Sequence, residues 1–159
     1  MLFITVGYQM AFDRLIGAVD TWAADHADVD FMAQIGPDGR IPEHMNWVRF
    51  LEPNMYKEQI ASCDAIVAHA GMGSILLALE YGKPILVMPR KGDLMETRND
   101  HQIATAKKFA SSGQVLVAME ETELPEKLDA LMHASAAERI SSVASEELIT
   151  TIRSFIHGS

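Results

Sequence analysis

Hydrophobic and polar positions divide the chain into two alternating kinds of segment. Short apolar stretches of strand length run from Leu2 to Val6, Val29 to Ile35, Asn46 to Leu51, Asp64 to Ala68, Ile85 to Met88 and Gln114 to Met119. Between them the period lengthens to that of a helix. Phe12, Leu15, Ile16, Val19 and Trp22 make one amphipathic stripe, which predicts a helix from Phe12 to His26. Further helices are predicted from about Met55 to Ser62, from Ser74 to the exit at Gly82 and Pro84, from His101 to Ser112, and from Thr122 to Ala134. A last helix, Ala136 to His157, carries more apolar positions than one narrow seam needs, which fits either packing on its own domain or a partner-facing surface. Strands alternating with helices mean a parallel sheet covered on both faces. The fold class is therefore α/β, Rossmann-like, with residues 1–159 as one domain. Such sheets bind ligands in the crevice at the carboxyl ends of their strands.

The densest sequence signal lies at the fourth predicted strand. Asp64 to Ala68 runs into His69-Ala-Gly71-Met72-Gly73-Ser74 and then into a short helix. The glycines permit a sharp turn, and Ser74 is the expected N-cap. A helix opening at a glycine turn offers free N–H groups and the positive end of its dipole, a natural seat for a phosphate. The plain alternative is a turn that needs its glycines for packing alone. A full dinucleotide fingerprint is not present, since the third glycine and the acidic residue about 20 positions on are both missing. Gly82-Lys83 is followed by Pro84, so there is no Walker lysine, and no Gly-x-Ser-x-Gly elbow occurs.

Composition narrows the classes. Apolar residues at 48% and charged residues at 22% suit a soluble globular domain. Thirteen basic against twenty-two acidic residues give −9, which argues against nonspecific nucleic-acid binding. It leaves open an anion held by backbone amides. The single cysteine, Cys63, forbids an intrachain disulfide, reads as a core residue and fits a reducing cytosol. No apolar run approaches the roughly 18 residues of a membrane span. Met1 to Val6 lacks the basic start of a signal peptide. The histidines are scattered without metal-ligand spacing, so neither a metal nor a cofactor is expected.

Three loops that follow strands carry the unusual residues: Gly7 to Ala11, His69 to Ser74, and Pro89 to Gln102. On a parallel sheet they converge on one edge. His69 reads either as a core-edge histidine or as a ligand contact. Asn99 or Asp100 is the expected N-cap of the helix opening at His101-Gln102. Arg90, Lys91 and Arg98 place positive charge where it can balance a diphosphate.

Taken together, Thr5-Val-Gly7-x-Gln9-x-x-Phe12-Asp13-x-Leu15, His69-Ala-Gly71-x-Gly73-Ser74-Ile75 with Gly82-Lys-Pro84, and Asn99-Asp-His101-Gln102 occur in this order. The pattern resembles the family-28 glycosyltransferase C-terminal domain, in particular its small stand-alone version. Such subunits bind the donor in split transferases of dolichol-linked oligosaccharide and bacterial exopolysaccharide synthesis. The match spans roughly residues 2 to 118. The resemblance implies the donor half of a GT-B enzyme: an inverting glycosyltransferase that needs no metal, using a UDP-sugar such as UDP-GlcNAc. It implies a membrane-associated acceptor-binding subunit as partner, at the inner face of the membrane. Self-association of the isolated chain is left open, and the catalytic residue is not identified. The donor-binding residues it implies are Gly7, Gln9, Phe50, His69, Gly71, Met72, Gly73, Ser74, Glu80, His101 and Gln102. Two departures from the family pattern stand out. Leu77 occupies the place of a ribose-binding glutamate, which Glu80 one helical turn on would partly replace. Tyr8 occupies the place of a small residue, where its ring is expected to alter or block the cleft. These departures motivate an alternative of another class, a non-catalytic interaction module that kept the fold and lost the donor.

Overall fold

The structure is a computed structural model, describing residues 1–8, 10–97, 99–111 and 115–137. Six parallel strands form one sheet: β1 (Leu2–Thr5), β2 (Phe31–Gln34), β3 (Asn46–Val48), β4 (Ala65–His69), β5 (Ile85–Met88) and β6 (Leu116–Val117). Their spatial order is β3-β2-β1-β4-β5-β6. The chain builds outward from β1 to β3, then crosses back to lay β4 beside β1 with Leu2 opposite Ala65 and Thr5 opposite Ala68. Strand order therefore reverses between β1 and β4. The loops leaving these two strands diverge there and open a crevice.

The helices are α1 (Asp13–Ala24), α2 (Pro53–Ser62), α3 (Met72–Glu80), α4 (His101–Ala110) and α5 (Leu124–Ala137). Right-handed crossovers running in opposite directions from the reversal put them on opposite faces. Side chains alternate along each strand, so each face receives every second residue. Leu2, Ile4, Val67, Leu86 and Met88 pack with Leu15, Ile16 and Val19 of α1 and with Leu124, Leu128 and Leu131 of α5. Phe3, Ile66, Ala68, Ile85 and Val87 pack with Tyr56 and Ile60 of α2, Ile75 and Leu79 of α3, and Phe109 of α4. Both faces are buried, which is why these strands read as apolar runs rather than alternating ones.

Several boundaries differ from the sequence expectation. The strands are shorter at their ends, β3 stopping at Val48 and β6 having only Leu116–Val117. α2 starts at Pro53, two residues before the expected Met55, and the proline sits in its first turn, where a missing N–H costs nothing. α5 continues unbroken through Ala137, past the expected break at Ser135. The rest of the predicted last helix lies outside the described residues. Cys63 is buried as expected, and burial pushes its thiol up to about 11. Asp20 is a polar residue that the amphipathic pattern did not single out. It is buried on α1 and accepts the backbone N–H groups of Glu43 at 2.9 Å and His44 at 2.8 Å. The long β2–β3 connection is thereby tied to the helix, and the buried carboxylate is satisfied.

Ile66 is fully buried in the middle of β4, on the face covered by α2, α3 and α4. Replacing it with alanine is expected to cost about 2–5 kcal/mol in urea unfolding with an unchanged m-value. A loss below about 1 kcal/mol would contradict this placement of the core.

Candidate functional site

The crevice at the reversal is a cavity of about 670 Å³ at the carboxyl edge of the sheet. Small-molecule sites typically fall between about 300 and 1,000 Å³. Its walls come from the loop after β1 (Val6, Gly7, Tyr8, Met10), the end of β4 (His69), and the first turns of α3 (Gly73, Ser74). The first turn of α2, the 90–97 loop and Gln102 complete them.

His69 is the hinge of this arrangement. It is the last residue of β4, and its imidazole lies between two glycines. A Cβ on Gly7 would stand 2.7 Å from the ring Nε2, and one on Gly71 would stand 2.2 Å from Cε1. Neither position can carry a side chain while the ring stays where it is. Gly7 also has φ +79°, in the left-handed region that favours glycine. Burial, with the charge of Arg90 added, pushes the imidazole down to about 4, against an opposing hydrogen bond from Gln102. His69 is thus neutral at pH 7.

The α3 N-terminus forms the opposite wall. Its N-cap is Gly71 and no side chain caps it. The expected cap, Ser74, lies two residues inside the helix instead. Its buried hydroxyl pairs with the Tyr56 hydroxyl of α2 at 3.2 Å. The helix opens two residues before Ser74 because the glycine turn itself supplies the entry geometry, leaving the first amides without an intrahelical acceptor. Gly73 differs from Gly7 and Gly71. A Cβ there would meet nothing within 4 Å, so no protein atom requires a glycine at this cavity-lining position.

A buried polar network fixes the β1 loop. Thr5 Oγ1 donates to Gln34 Oε1 at 2.7 Å, and Gln34 Nε2 donates to the carbonyls of Gly7 at 2.9 Å and Arg49 at 3.2 Å. Arg90 holds the same loop from the other side. Its guanidinium donates to the carbonyls of Val6, Met10 at 2.7 Å, Ala11 at 2.8 Å and Glu96 at 3.2 Å, and it lies over the Phe12 ring. This corrects the expectation that Arg90 and Lys91 balance a ligand's charge. Arg90 is buried and engaged by backbone, and Lys91 pairs with Glu120. Arg98 lies outside the described residues. Arg14 of α1 ties the 90–97 loop to the segment before α5 through Glu96 at 2.9 Å and Glu121 at 2.9 Å.

Of the residues singled out in the sequence, Gly7, His69, Gly73, Ser74 and Gln102 meet in the cavity wall. Gly71 backs the His69 ring. Phe50 is exposed at the rim, its ring 5.8 Å from that of Tyr8. Met72 packs against the core beneath α3, and His101 is exposed at the start of α4. The N-cap of α4 is Asp100, but its side chain does not cap the helix and accepts the Gly92 N–H at 3.0 Å instead, while Asn99 Oδ1 accepts the His101 N–H at 3.0 Å. Glu80 is exposed and does not line the cavity, whereas Leu77 does. Gln9 lies outside the described residues. The sequence reading missed Tyr56 and Lys57, which line the cavity from α2. Their signal was Pro53: a helix beginning right after β3 must present its first turns at the ligand edge. Tyr8 does not fill the cleft. Its ring leans on Tyr56 at 5.6 Å and on Phe50, beside the open cavity.

The comparisons agree with this geometry. The family model "Glycosyltransferase family 28 C-terminal domain" matches residues 1–150. The human UDP-N-acetylglucosamine transferase subunit ALG13 is 32% identical over 126 residues, covering 72% of this chain and 10% of that protein. The chain therefore spans about a tenth of the length of this curated relative. Among solved structures, the glycotransferase of kitacinnamycin superposes with a TM-score of 0.64 at 20% identity, covering 97% of this chain and 40% of that one. The NMR solution structure of ALG13 superposes with a TM-score of 0.57 at 23% identity, covering 88% and 87%.

The depressed His69 makes stability depend on pH. In the unfolded chain the imidazole protonates near 6.5, and in the folded chain only near 4. Between these values the unfolded state holds more protons, so stability falls as pH falls from 6.5 towards 4. His69→Gln is expected to flatten this part of the Tm-against-pH profile. An unchanged slope would contradict a neutral, desolvated His69.

Proposed function

Because the chain belongs to the glycosyltransferase family 28 C-terminal domain family, we propose that it is the donor-binding subunit of a two-component, inverting glycosyltransferase that uses a UDP-sugar. The observation that carries this reading is Gly73, a cavity-lining glycine in the first turn of an uncapped helix with open space where a side chain would stand. Glycine inside a helix costs about 0.5–1 kcal/mol relative to alanine, and neither packing nor φ demands it here. A ligand that approaches the backbone closely does. First-turn amides and a dipole end suit a diphosphate. The same groups would stabilise the charge that develops on a departing nucleoside diphosphate.

The donor-binding set on this reading is Gly7, Gly71, Met72, Gly73 and Ser74 around the diphosphate, with His69 beside it. Phe50 and His101 would lie toward the base and sugar, with Gln102 in the cavity wall; Gln9, which the resemblance also implies, lies outside the described residues. Glu80 is left outside the set because it does not line the cavity. The apolar Leu77 leaves the cavity's α3 wall without a carboxylate for ribose. A UDP-N-acetylglucosamine donor is suggested by what ALG13 is named for. On this reading the acceptor-binding half is a separate polypeptide. Support comes from coverage: the chain matches most of the ALG13 solution structure but about two-fifths of the kitacinnamycin glycotransferase. On this reading the partner is membrane-associated and makes a lipid-linked polysaccharide or glycolipid at the cytoplasmic face. Among the described residues no helix is long and apolar enough to cross a membrane, so attachment would come through that partner.

The competing reading, an interaction module without a donor, rests on Tyr8 and Leu77. The open cavity beside the Tyr8 ring weighs against it. Isothermal titration with UDP, UDP-GlcNAc and UDP-glucuronic acid separates the two, on wild type and on Gly73→Ala. Alanine is expected to stabilise the fold by about 0.5–1 kcal/mol while weakening UDP binding at least about tenfold. No heat with any of the three, partner present or not, would sink the donor reading. Unchanged UDP affinity in the alanine variant would sink the placement of the diphosphate.

A further inference from the structure

Gln102 has both ends of its amide engaged within the protein. Its Oε1 accepts the backbone N–H of Arg90 at 3.1 Å, and its Nε2 lies 3.2 Å from His69 Nδ1. The first bond decides the second. A backbone N–H can only donate, so the end facing Arg90 is the carbonyl oxygen and the end facing His69 is the NH2 group. That group donates, and Nδ1 must accept with its lone pair. A neutral imidazole then carries its proton on Nε2. Nε2 is the ring atom set over Gly7 at the cavity, and among the described residues it has no hydrogen-bond partner.

We propose that Gln102 is a positioning residue that fixes His69 as an Nε2–H donor aimed at the ligand cavity. Two consequences follow. His69 offers a hydrogen bond to a ligand acceptor without offering a base, because the cavity-facing nitrogen already bears the proton. And Gln102 acts through the imidazole, whatever further contact its second N–H makes in the cavity. The assignment of the acceptor as a diphosphate oxygen rests on the donor reading above. The tautomer itself does not. Arg90 takes part twice: its backbone N–H orients the Gln102 amide, and its charge faces the same imidazole and disfavours a second proton there. The glycines at 7 and 71 complete the device, since a Cβ at either position would claim the space the ring occupies.

The test is the protonation pattern of the His69 ring by 15N NMR on the full chain. In wild type at pH 7, Nδ1 is expected in the unprotonated range and Nε2 in the protonated range. In Gln102→Glu, a carboxylate replaces the NH2 donor and accepts instead, so Nδ1 is expected to move into the protonated range. A protonated Nδ1 in wild type overturns the proposal even if every variant fails to fold. An Nδ1 that stays unprotonated in Gln102→Glu overturns it as well, because a purely structural glutamine would not set the proton. UDP is added as a separate arm. A shift of His69 Nε2 on titration supports the ligand assignment, and failure of wild type to bind UDP overturns the donor reading while the tautomer result still decides the role of Gln102.

Discussion

One aromatic ring occupying the space between two glycines governs the geometry of the whole ligand edge. The His69 imidazole stands at the end of β4, where the strand order reverses. Gly7, from the neighbouring β1, and Gly71, two residues beyond it, are both close enough that a Cβ would collide with the ring. Close packing makes this a mutual constraint. The ring fixes how near the β1 loop can come, and the β1 loop fixes the ring. Since α3 begins immediately after Gly71, the same contact sets where that helix points its unpaired amides.

The charges of the cavity follow from that constraint. The protein is acidic overall, and Arg90, whose charge acts on the imidazole, is surrounded by carbonyl oxygens. A buried guanidinium needs such partners, and four carbonyls from the β1 loop and the 90–97 loop supply them. The arginine therefore shapes the cleft and is not available to grip an anion. Besides Lys57, what remains for an anion is neutral or partial charge: backbone amides, a helix end and a neutral imidazole. Among the described residues, Lys57 on the α2 wall is the cavity-lining cation that these bonds leave aside.

The fold was largely legible in the sequence. Apolar runs of strand length alternating with amphipathic helices admit little besides a doubly wound sheet, and the three ligand loops were found from where the glycines and polar residues follow strands. The family resemblance pointed the same way, and the match over residues 1–150 shows it. What was not legible were side-chain partnerships across distant segments. Ser74 as an N-cap was a local inference, and Tyr56, from another helix, claimed its hydroxyl instead. Arg90 as an anion ligand was also local; its partners lie about 80 residues earlier in the chain. Asp20 is polar on an amphipathic helix, and only the return of the 43–44 segment explains its burial. Pattern fixes which faces are buried, but it does not say which polar groups meet.

The central claim is that the crevice between the β1 loop and the α3 N-terminus receives a nucleoside diphosphate. Mapping backbone amide shifts of the intact chain during UDP titration tests it most directly. The account predicts the largest perturbations at Gly7, His69, Gly73, Ser74 and their immediate neighbours, with the far edge of the sheet and α5 undisturbed. Perturbations centred away from the β1–β4 crevice, or none at saturating UDP, would contradict it.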